Sequence, residues 1–447
     1  MKIAESSVLQ LRTGKKKMLA RRIRKNTASL LLLPCVIIAF VCIMPVHAES
    51  ASAHLMDRLI YHFVTDGRNL NYRGVQMVMT CLQDGVTQTV IRTIVHSRSG
   101  KTIIKDQYPL SKKGSVIVDD GIWMKRWESH THSIIIMRSS HSNLDEKQIE
   151  CRMRLIQRNY RLRQLNSQVI ANRACYTIEL IPRFHPVRII KVWLDKSTGM
   201  PLCHQVNDMS GNTLGLSLFS SIRYVKDIPS KVFQYHFPDR LARVNLSKSS
   251  IYHKVSSISK LVKFNVTVPV RMPPGFDFEQ CELMDLQGEA TVCLRYTDGL
   301  SNITVCESKD CLPLPSSSSI MQAGRYSDGD YIVTYHVGCM DYTVMGQNDP
   351  TDLQWVARSL DSEIEHYYAS RLISMHPKFS SAIMNLRDQG FGLDDIDAIM
   401  LISRITGDPV QSLANLLRDG WGWETLARWK GVNPDPLSRR IDSLFNP

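Results

Sequence analysis

Between residues 75 and 224 the chain is divided into short alternating segments that are separated by tight-turn residues. Val75, Met77 and Met79 alternate with polar neighbours, as expected for a half-buried β-strand. Residues 119–121, Asp-Asp-Gly, lead directly into the segment 122–127, and Asp and Gly tolerate the positive φ of tight hairpins. Many strands at even spacing predict one large antiparallel sheet, and this constrains the fold more than any other feature of the sequence.

Helical patterns flank and interrupt these strands. Leu55, Met56, Leu59, Ile60 and Phe63 recur at helical spacing before the first strand. The pattern predicts an α+β fold in which an antiparallel half-barrel sheet carries a helix packed on its face.

Residues 141–163 show a second helical pattern, which Asn143 is predicted to cap. Its arginines could contact an acidic partner or lipid headgroups, although charge runs on helices are mostly solvated faces, and this is the favoured interpretation. These arginines are Arg152, Arg154, Arg158, Arg161 and Arg163.

The first 48 residues have the pattern of a signal peptide. A basic run is followed by the apolar stretch 30–44, and Val46 and Ala48 occupy the positions that a signal peptidase reads. We therefore expect cleavage between Ala48 and Glu49. An uncleaved amino-terminal anchor is the alternative, but the apolar stretch is short beside the roughly 20 residues of a bilayer span. Either interpretation places the remaining chain in a periplasmic or other extracytoplasmic compartment.

Removal of this leader changes the charge balance. The leader holds nine basic residues and one acidic residue, so only about +5 of the formal +13 remains. Such a weak charge gives no argument for nucleic-acid binding.

Nine of the eleven cysteines lie beyond the leader, in a compartment that permits disulfides. Cys306 and Cys311 flank a short loop, and Cys281 and Cys293 could face each other across a hairpin; either pairing is open. The sequence has no CxxC pair. His130 and His132 form a lone His-x-His pair that fits a solvated loop better than a metal site, so we predict neither a metal nor a cofactor.

The pattern changes again after residue 226. Residues 227–263 are rich in Ser and Lys and predict a linker, and residues 264–366 predict a smaller α+β domain after the half-barrel of residues 49–226. Asp349 and Pro350 are typical of the start of its last helix. The Pro- and Ser-rich stretch 313–319 predicts a flexible loop. Residues 370–447 predict three short helices in an all-α module, the second of which follows Gly407.

The sequence contains candidate residues for a ligand cavity but no motif of a catalytic site. Met77, Met79, Trp123, Trp127 and Trp193 lie on strands of the half-barrel and could line a cavity for an apolar ligand; ordinary sheet packing is the favoured interpretation. Signatures of catalysis are missing, since the sequence has no GxSxG, Walker or HExxH motif. We therefore predict a protein that is not an enzyme.

Ordered motifs extend across both predicted domains. They are residues 71–74 (Asn-Tyr-Arg-Gly), 159–160 (Asn-Tyr), 172–176 (Asn-Arg-Ala-Cys-Tyr), 192–195 (Val-Trp-Leu-Asp), 198–202 (Thr-Gly-Met-Pro-Leu), 272–276 (Met-Pro-Pro-Gly-Phe), 294–300 (Leu-Arg-Tyr-Thr-Asp-Gly-Leu), 324–325 (Gly-Arg) and 349–350 (Asp-Pro).

In this order the motifs resemble the RseB/MucB family of periplasmic sigma-factor regulators, over roughly residues 52–362. The resemblance implies a first domain similar to the lipoprotein carriers LolA and LolB, and no catalytic residues. It also implies a membrane anti-sigma factor, or a similar membrane protein, as partner and a lipid or acyl chain as ligand. A periplasmic lipid or lipoprotein carrier is the alternative. The many cysteines, the Ser/Pro-rich loop and the helical tail depart from the family, and the sequence leaves the oligomeric state open.

Overall fold

The computed structural model describes residues 45–81, 86–139, 145–184, 188–237, 243–246, 248–286, 289–309, 319–325 and 331–445. Most of the predicted leader, residues 1–44, thus lies outside the described residues. The predicted cleavage site, Ala48-Glu49, falls in a helix of which only the backbone is described at that point. Residues 53–447 form one compact unit.

Twelve strands form the first sheet, in the order β12-β6-β5-β4-β3-β2-β1-β11-β10-β9-β8-β7. All neighbours pair antiparallel except β12 and β6, which are parallel. The two ends of the sheet, β12 and β7, do not pair with each other, so the sheet remains open. The strands are β1 (Tyr72–Cys81), β2 (Thr87–His96), β3 (Thr102–Tyr108), β4 (Val116–Asp119), β5 (Trp123–Glu128), β6 (Ser133–Arg138), β7 (Tyr160–Ile170), β8 (Arg173–Pro182), β9 (Arg188–Asp195), β10 (Pro201–Asp208), β11 (Thr213–Tyr224) and β12 (Arg243–Leu246).

Helix α1 (Pro45–Thr65) packs on one face of this sheet. Leu59 and Ile60 of α1 are buried against Ile178, Leu180 and Val192 of β8 and β9. Burial of these side chains contributes about 1.5–3 kcal/mol each, which explains why the amphipathic spacing directs the helix to the sheet. The predicted fold class, an antiparallel sheet with a packed helix, is confirmed.

Helix α2 (Glu146–Asn159) is the predicted insertion, with different ends. Asp145, and not Asn143, caps it: the Asp145 carboxylate accepts a hydrogen bond from the Gln148 N–H, and the Gln148 side chain accepts one from the Asp145 N–H. This reciprocal capping box fixes the first turn. The helix ends at Asn159 and the chain enters β7 at once, so Arg161 belongs to a strand.

The second sheet has seven antiparallel strands in the order β13-β14-β15-β16-β19-β18-β17. The predicted linker contains short elements that belong to both sheets, since β12 extends the first sheet and β13 the second. A 3-10 helix (Ser230–Phe233) and α3 (Val255–Ser259) also lie in it. The strands are β13 (Lys248–Tyr252), β14 (Asp277–Leu286), β15 (Glu289–Thr297), β16 (Asn302–Lys309), β17 (Ser319–Arg325), β18 (Tyr331–Val337) and β19 (Met340–Gly346).

Helix α4 (Pro350–Arg358) closes the second sheet as predicted, with Asp349 as cap and Pro350 in its first turn. Leu353 and Val356 of α4 are fully buried in the core of this sheet. Residues 310–318, which include most of the predicted flexible loop and Cys311, lie outside the described residues.

The tail is more helical than the sequence indicates, with six helices in place of the three predicted. A short 3-10 helix, Pro377–Phe379, joins the first two. Gly407 ends α7 in the left-handed conformation (φ +76°), as the sequence predicts. The helices are α5 (Ser362–Met375), α6 (Ser380–Asp388), α7 (Leu393–Thr406), α8 (Val410–Arg418), α9 (Trp423–Trp429) and α10 (Pro434–Phe445).

Candidate binding site

The five residues predicted to line an apolar cavity lie on strands, as expected. Trp127 and Trp193 are buried, whereas Met77, Met79 and Trp123 are half-buried. The Trp193 indole Nε1–H donates to the Gln168 side-chain oxygen over 2.7 Å, so the polar edge of this ring has a partner inside the sheet.

Strand register places these residues on one face of the first sheet. Directly paired positions run in a row from Trp193 through Cys203, Leu218 and Met77 to Ile91. From Trp127 in β5, a second row of directly paired positions crosses β4, β3 and β2 and reaches β1 two residues before Met77. Positions two apart in a strand lie on the same face, so Trp127 and Met77 share a face.

This face is opposite to the one that carries α1. Phe63 of α1 stacks on His204, the neighbour of Cys203 in β10, with ring centroids 6.3 Å apart. Because successive side chains of a strand point to opposite faces, α1 and the five predicted residues lie on different sides of the sheet.

Part of the face with the five residues is covered by the chain after β11. Phe233 is buried against Ile103, Val116 and Val118, and the segment 228–237 packs over them. The cavities that the described residues form at the junction of the two sheets are lined by other side chains. A cavity lined by the five residues therefore stays a prediction.

Arginines of α2 contact other parts of this chain. Arg152 lies 2.8 Å from Glu279 of β14, and the Arg154 guanidinium donates to the Asp419 carbonyl in the tail over 2.8 Å. The prediction of a mainly solvated face is therefore wrong for these two side chains, which contact residues far away in the sequence, although Arg154 also pairs with Glu150 on the same helix.

Arg158 is the central residue of this contact. Its two terminal nitrogens donate to both oxygens of Asp277, over 3.0 and 2.8 Å, and one of them also donates to the Gly275 carbonyl over 2.9 Å. Such bidentate pairs are among the strongest hydrogen bonds in proteins. The Asp277 carboxylate holds the pKa of Arg158 above its ordinary value although burial acts in the opposite direction.

Two motif residues extend the contact between the sheets. The Asn159 side-chain N–H group donates to the carbonyls of Gly275 and Asp298, over 2.8 Å each. The Tyr160 hydroxyl donates to the Asp298 carboxylate over 2.7 Å. Burial raises the pKa of Asp298, while the hydrogen bond from Tyr160 acts to lower it. These motifs thus join the first sheet to the second.

Two glycines let the chain approach α2 closely. Gly299 of the second sheet (φ +101°) and Gly420 of the tail (φ +89°) both occupy the region that favours glycine. A Cβ at Gly299 would lie 2.9 Å from the Leu155 Cβ, and one at Gly420 would lie 3.0 Å from the Cys151 carbonyl oxygen. Helix α2 is therefore packed between the second sheet and the tail.

A cavity of about 270 Å³, the junction cavity, lies where α2, the second sheet and the tail meet. Its walls combine aromatic rings with charged side chains. The rings are Phe184, Phe276, Phe278, Tyr296, Phe391 and Trp423; the charged residues are Arg158, Arg271, Asp277, Asp394, Asp395, Arg418, Glu424 and Asp442. A smaller cavity of about 60 Å³ shares Phe184, Pro274 and Phe276 with it.

The carboxylates of this cavity repel one another. Burial, followed by the charges of Asp394 and Asp277, raises the pKa of Asp395 well above its ordinary value, against the opposing effect of Arg158. Burial also raises the pKa of Asp394, and Arg271 opposes that shift. The sequence places Asp394 and Asp395 only within the predicted helical tail and does not predict this cavity, whose residues come from distant parts of the chain.

The cysteine pairing differs from both predicted alternatives. Cys293 and Cys306 are paired directly across the β15–β16 ladder, with Cα atoms 4.0 Å apart, and form a disulfide. Cys306 is therefore not bonded to Cys311. Cys281 lies opposite Leu294, one position out of register with Cys293, so these two side chains point to opposite faces of the sheet.

The predicted His-x-His pair makes local contacts. His130 lies 3.7 Å from Glu128, and the His132 ring lies edge-on to Trp127. Within the described ranges, no group of three or more His, Cys, Asp or Glu side chains is placed to hold a metal ion. Over the same residues, no helix is both long and apolar enough to cross a bilayer.

Comparisons with known proteins place the first domain. Residues 65–237 match the family model described as the MucB/RseB N-terminal domain. The solved MucA/MucB complex of Pseudomonas aeruginosa is 16% identical, covers 67% of this chain and 96% of that chain, and has a TM-score of 0.46. A LolA superfamily protein from Nitrosomonas europaea is 14% identical, covers 37% of this chain and 91% of that chain, and has a TM-score of 0.20.

A curated relative matches a smaller part of this chain. An uncharacterized protein of Methanocaldococcus jannaschii is 23% identical over 154 residues, or 34% of this chain. This chain spans only 44% of that protein's length. The match of residues 65–237 confirms the resemblance that the motifs predict: this chain is RseB/MucB-like, and the similarity lies in the region that matches the MucB/RseB N-terminal domain.

Proposed function

We propose that the chain is an extracytoplasmic, non-enzymatic regulator that binds a segment of a membrane anti-sigma factor or of a similar membrane protein. An apolar, lipid-like ligand would release that segment. The observation that carries this proposal is the match of residues 65–237 to the MucB/RseB N-terminal domain.

The second sheet supports a regulator over a simple carrier. Carriers of the lipoprotein-sorting type, which the first domain resembles, have no second domain. Here the second sheet is attached through the Arg158–Asp277 and Arg152–Glu279 pairs and through Asn159. A rigidly attached second sheet offers a larger surface to a protein partner than the first domain alone.

The free edge of β7 is the candidate docking strand for that partner. Strand β7 has eleven residues and ends the first sheet, and no described strand pairs with its outer side. An extended segment can add to such an edge through main-chain hydrogen bonds. Arg161 and Arg163 of β7 are exposed, and Arg163 is already paired with Glu179, so Arg161 is the charge that favours an acidic extended segment at this edge.

The experiment is capture from detergent-solubilised membranes, with residues 49–447 (the mature chain, after the predicted cleavage) as bait. We expect a single-pass membrane protein with a cytoplasmic sigma-binding region. Arg161→Glu should reduce its capture at least fivefold, whereas the matched reversal Arg404→Glu, at an exposed position of the tail, should leave it unchanged. Recovery of lipoproteins or lipids alone would contradict the regulator.

A lipid or lipoprotein carrier is the second candidate, favoured by one observation. The row through Leu218, Met77 and Ile91 is apolar and only half-buried, as a surface for acyl chains would be. Transfer of a fluorescent acyl chain or lipoprotein between two vesicle populations, accelerated by the chain and slowed by Met77→Glu, would support the carrier.

A further inference from the structure

A short strap, residues 267–270, joins the second sheet to the tail. On the tail side, the Arg387 guanidinium of α6 donates to the carbonyls of Val268 and Pro269 over 2.8 Å each. The Leu393 N–H at the start of α7 donates to the last carbonyl of the strap, also over 2.8 Å. These hydrogen bonds attach the strap to two helices of the tail.

A single buried carboxyl attaches the other end of the strap to the second sheet. The Thr267 N–H donates to the Glu307 carboxyl of β16 and lies 3.1 Å from each of its oxygens. Glu307 is only 1% exposed, and its direct neighbours in β15 and β19 are Val292 and Tyr342, which are buried in the core of the sheet. Among the residues that the structure describes, Glu307 forms no ion pair.

The titratable groups that share this core do not provide a cation for Glu307. Burial raises the pKa of Cys281 in β14 to about 11 and that of Tyr342 to about 12, and it raises the pKa of Tyr296 in β15 as well. All three groups are therefore neutral below about pH 10. Arg387 acts on the Tyr296 hydroxyl, but its guanidinium is held by the carbonyls of the strap.

We propose that the contact between Glu307 and Thr267 is a pH-sensitive latch, which holds the strap on the second sheet while the carboxyl is protonated and opens when the carboxyl ionises in mildly alkaline medium. A protonated carboxyl still accepts the Thr267 N–H and needs no counter-ion. An ionised one without a cation gains from water, and lifting of the strap admits water to it. The latch concerns the second sheet and the tail, and it does not depend on the partner proposed above.

The direction of the pH effect follows from the pKa of Glu307, which burial raises from 4.5 to about 8 against the opposing hydrogen bond from Thr267. The carboxyl therefore stabilises the closed latch fully below pH 4.5, and this contribution is lost as the pH rises through about 8. Between these values each pH unit increases the population of the open latch by up to about tenfold, and the increase ends above about pH 8.

Hydrogen exchange of the mature chain, measured by mass spectrometry and corrected for the intrinsic exchange rate, tests the latch. Between pH 6 and pH 8.5 we expect the protection of segment 264–272 to fall at least about tenfold, while segments 176–181 of β8 and 398–402 of α7 keep theirs. Glu307→Gln, whose amide oxygen can still accept the Thr267 N–H, should remove the pH dependence. The control Glu179→Gln removes a carboxylate that is also buried but has Arg163 and Lys191 as partners, and it should behave like the parent chain.

Carbon-13 NMR of the parent chain, labelled at the glutamate carboxyl carbons, decides the question even if the Gln variant does not fold. One glutamate should titrate with a midpoint near pH 8, and the protection of segment 264–272 should level off at the same pH. Midpoints below pH 6 for every glutamate would overturn the latch. An equal fall of protection in Glu307→Gln, or a simultaneous loss of protection in β8, would also overturn it, because the pH effect would then lie elsewhere or concern the whole fold.

Discussion

Two of the contacts between the tail and the rest of the molecule differ in how fully their buried charges are paired. At the first, Arg387 of α6 is buried and donates to the carbonyls of Val268 and Pro269, which precede β14, over 2.8 Å each, and to that of Phe391 over 2.9 Å. Its remaining charge partner is Glu365 at 3.1 Å. At the second, around the junction cavity, five carboxylates and three arginines line the walls, and one of the arginines, Arg418, lies over the Phe391 ring.

The two contacts therefore differ in how fully their buried charges are paired. Burial lowers the pKa of Arg387, and Glu365 acts to raise it, so a buried cation is held by fixed acceptors. At Asp395, burial and the charges of Asp394 and Asp277 raise the pKa, and the opposing Arg158 is already paired with Asp277. The first contact therefore stabilises the fold, whereas ionisation of Asp395 at the second contact costs stability.

The largest expected effect is the loss of the first contact. Arg387→Met leaves three carbonyl groups and Glu365 without their donor, and we expect a loss of about 3–5 kcal/mol in the free energy of unfolding. Urea denaturation measures it, with Arg404→Met at an exposed site as control. A loss below about 1 kcal/mol would show that this contact does not hold the tail.

The second contact depends on a close approach at Gly420. Gly420→Ala adds a Cβ 3.0 Å from the Cys151 oxygen at φ +89°, whereas Gly407→Ala has a similar φ, +76°, and nothing within 4 Å. We expect a cost of about 2–3 kcal/mol at Gly420 and about 1 kcal/mol at Gly407. Thermal unfolding of both variants compares them; equal losses would mean that backbone strain alone acts and that the tail does not press on α2.

Substitution of Asp395 at the cavity should raise the free energy of unfolding, whereas the substitutions above lower it. The folded chain raises the pKa of Asp395, so the fold favours the protonated carboxyl. This carboxyl therefore contributes stability at low pH, and the contribution is lost as pH rises above the ordinary Asp pKa of about 3.9. Asp395→Asn should therefore be more stable than the parent at pH 7, by roughly 1 kcal/mol, and equal to it near pH 3.5.

Burial and then the charges of Asp394, Asp277 and Glu424 raise the pKa of Asp395, and Arg158 lowers it. Denaturation midpoints at several pH values give the measurement. An Asn variant that is less stable at pH 7 would mean that Arg158 already neutralises Asp395, and the contrast between the two contacts would disappear.

The smallest effect is expected at the rim of the second contact. Lys147 lies 3.4 Å from Asp419, but its side chain is 78% exposed. We expect Lys147→Met to change the free energy of unfolding by less than about 0.5 kcal/mol, and high salt to abolish even that change. A larger loss in urea denaturation would place part of the tail's attachment on this exposed pair.

Local patterns predicted much of the fold. The alternation of residues 75–79, the turn at residues 119–121 and the spacing of Leu59 and Ile60 led to the sheet and its helix, because strand and helix periods depend on neighbours in the sequence. Asp349 and Gly407 were predicted in their observed capping positions for the same reason. The first domain's family was identified from ordered motifs.

Contacts between distant segments could not be predicted in this way. Arg158 and Asp277 form a bidentate pair across two sheets, and no local pattern relates them. The Cys293–Cys306 bond depends on the register of β15 and β16, which a shift of one residue would abolish. The junction cavity needs three segments at once, so Asp395 and Glu424 could be recognised only as acidic residues in first helical turns.

The most direct test of the regulator is a competition between its two proposed ligands. The full mature chain would be titrated with the extracytoplasmic segment of the captured membrane protein, without and with a short-chain lysophospholipid below its micelle concentration. We predict that the lipid weakens segment binding at least tenfold and, because linkage is reciprocal, that the segment weakens lipid binding by the same factor. Lipid binding with no effect on the segment would contradict a sensor that releases its partner, and an absence of segment binding would contradict the regulator itself.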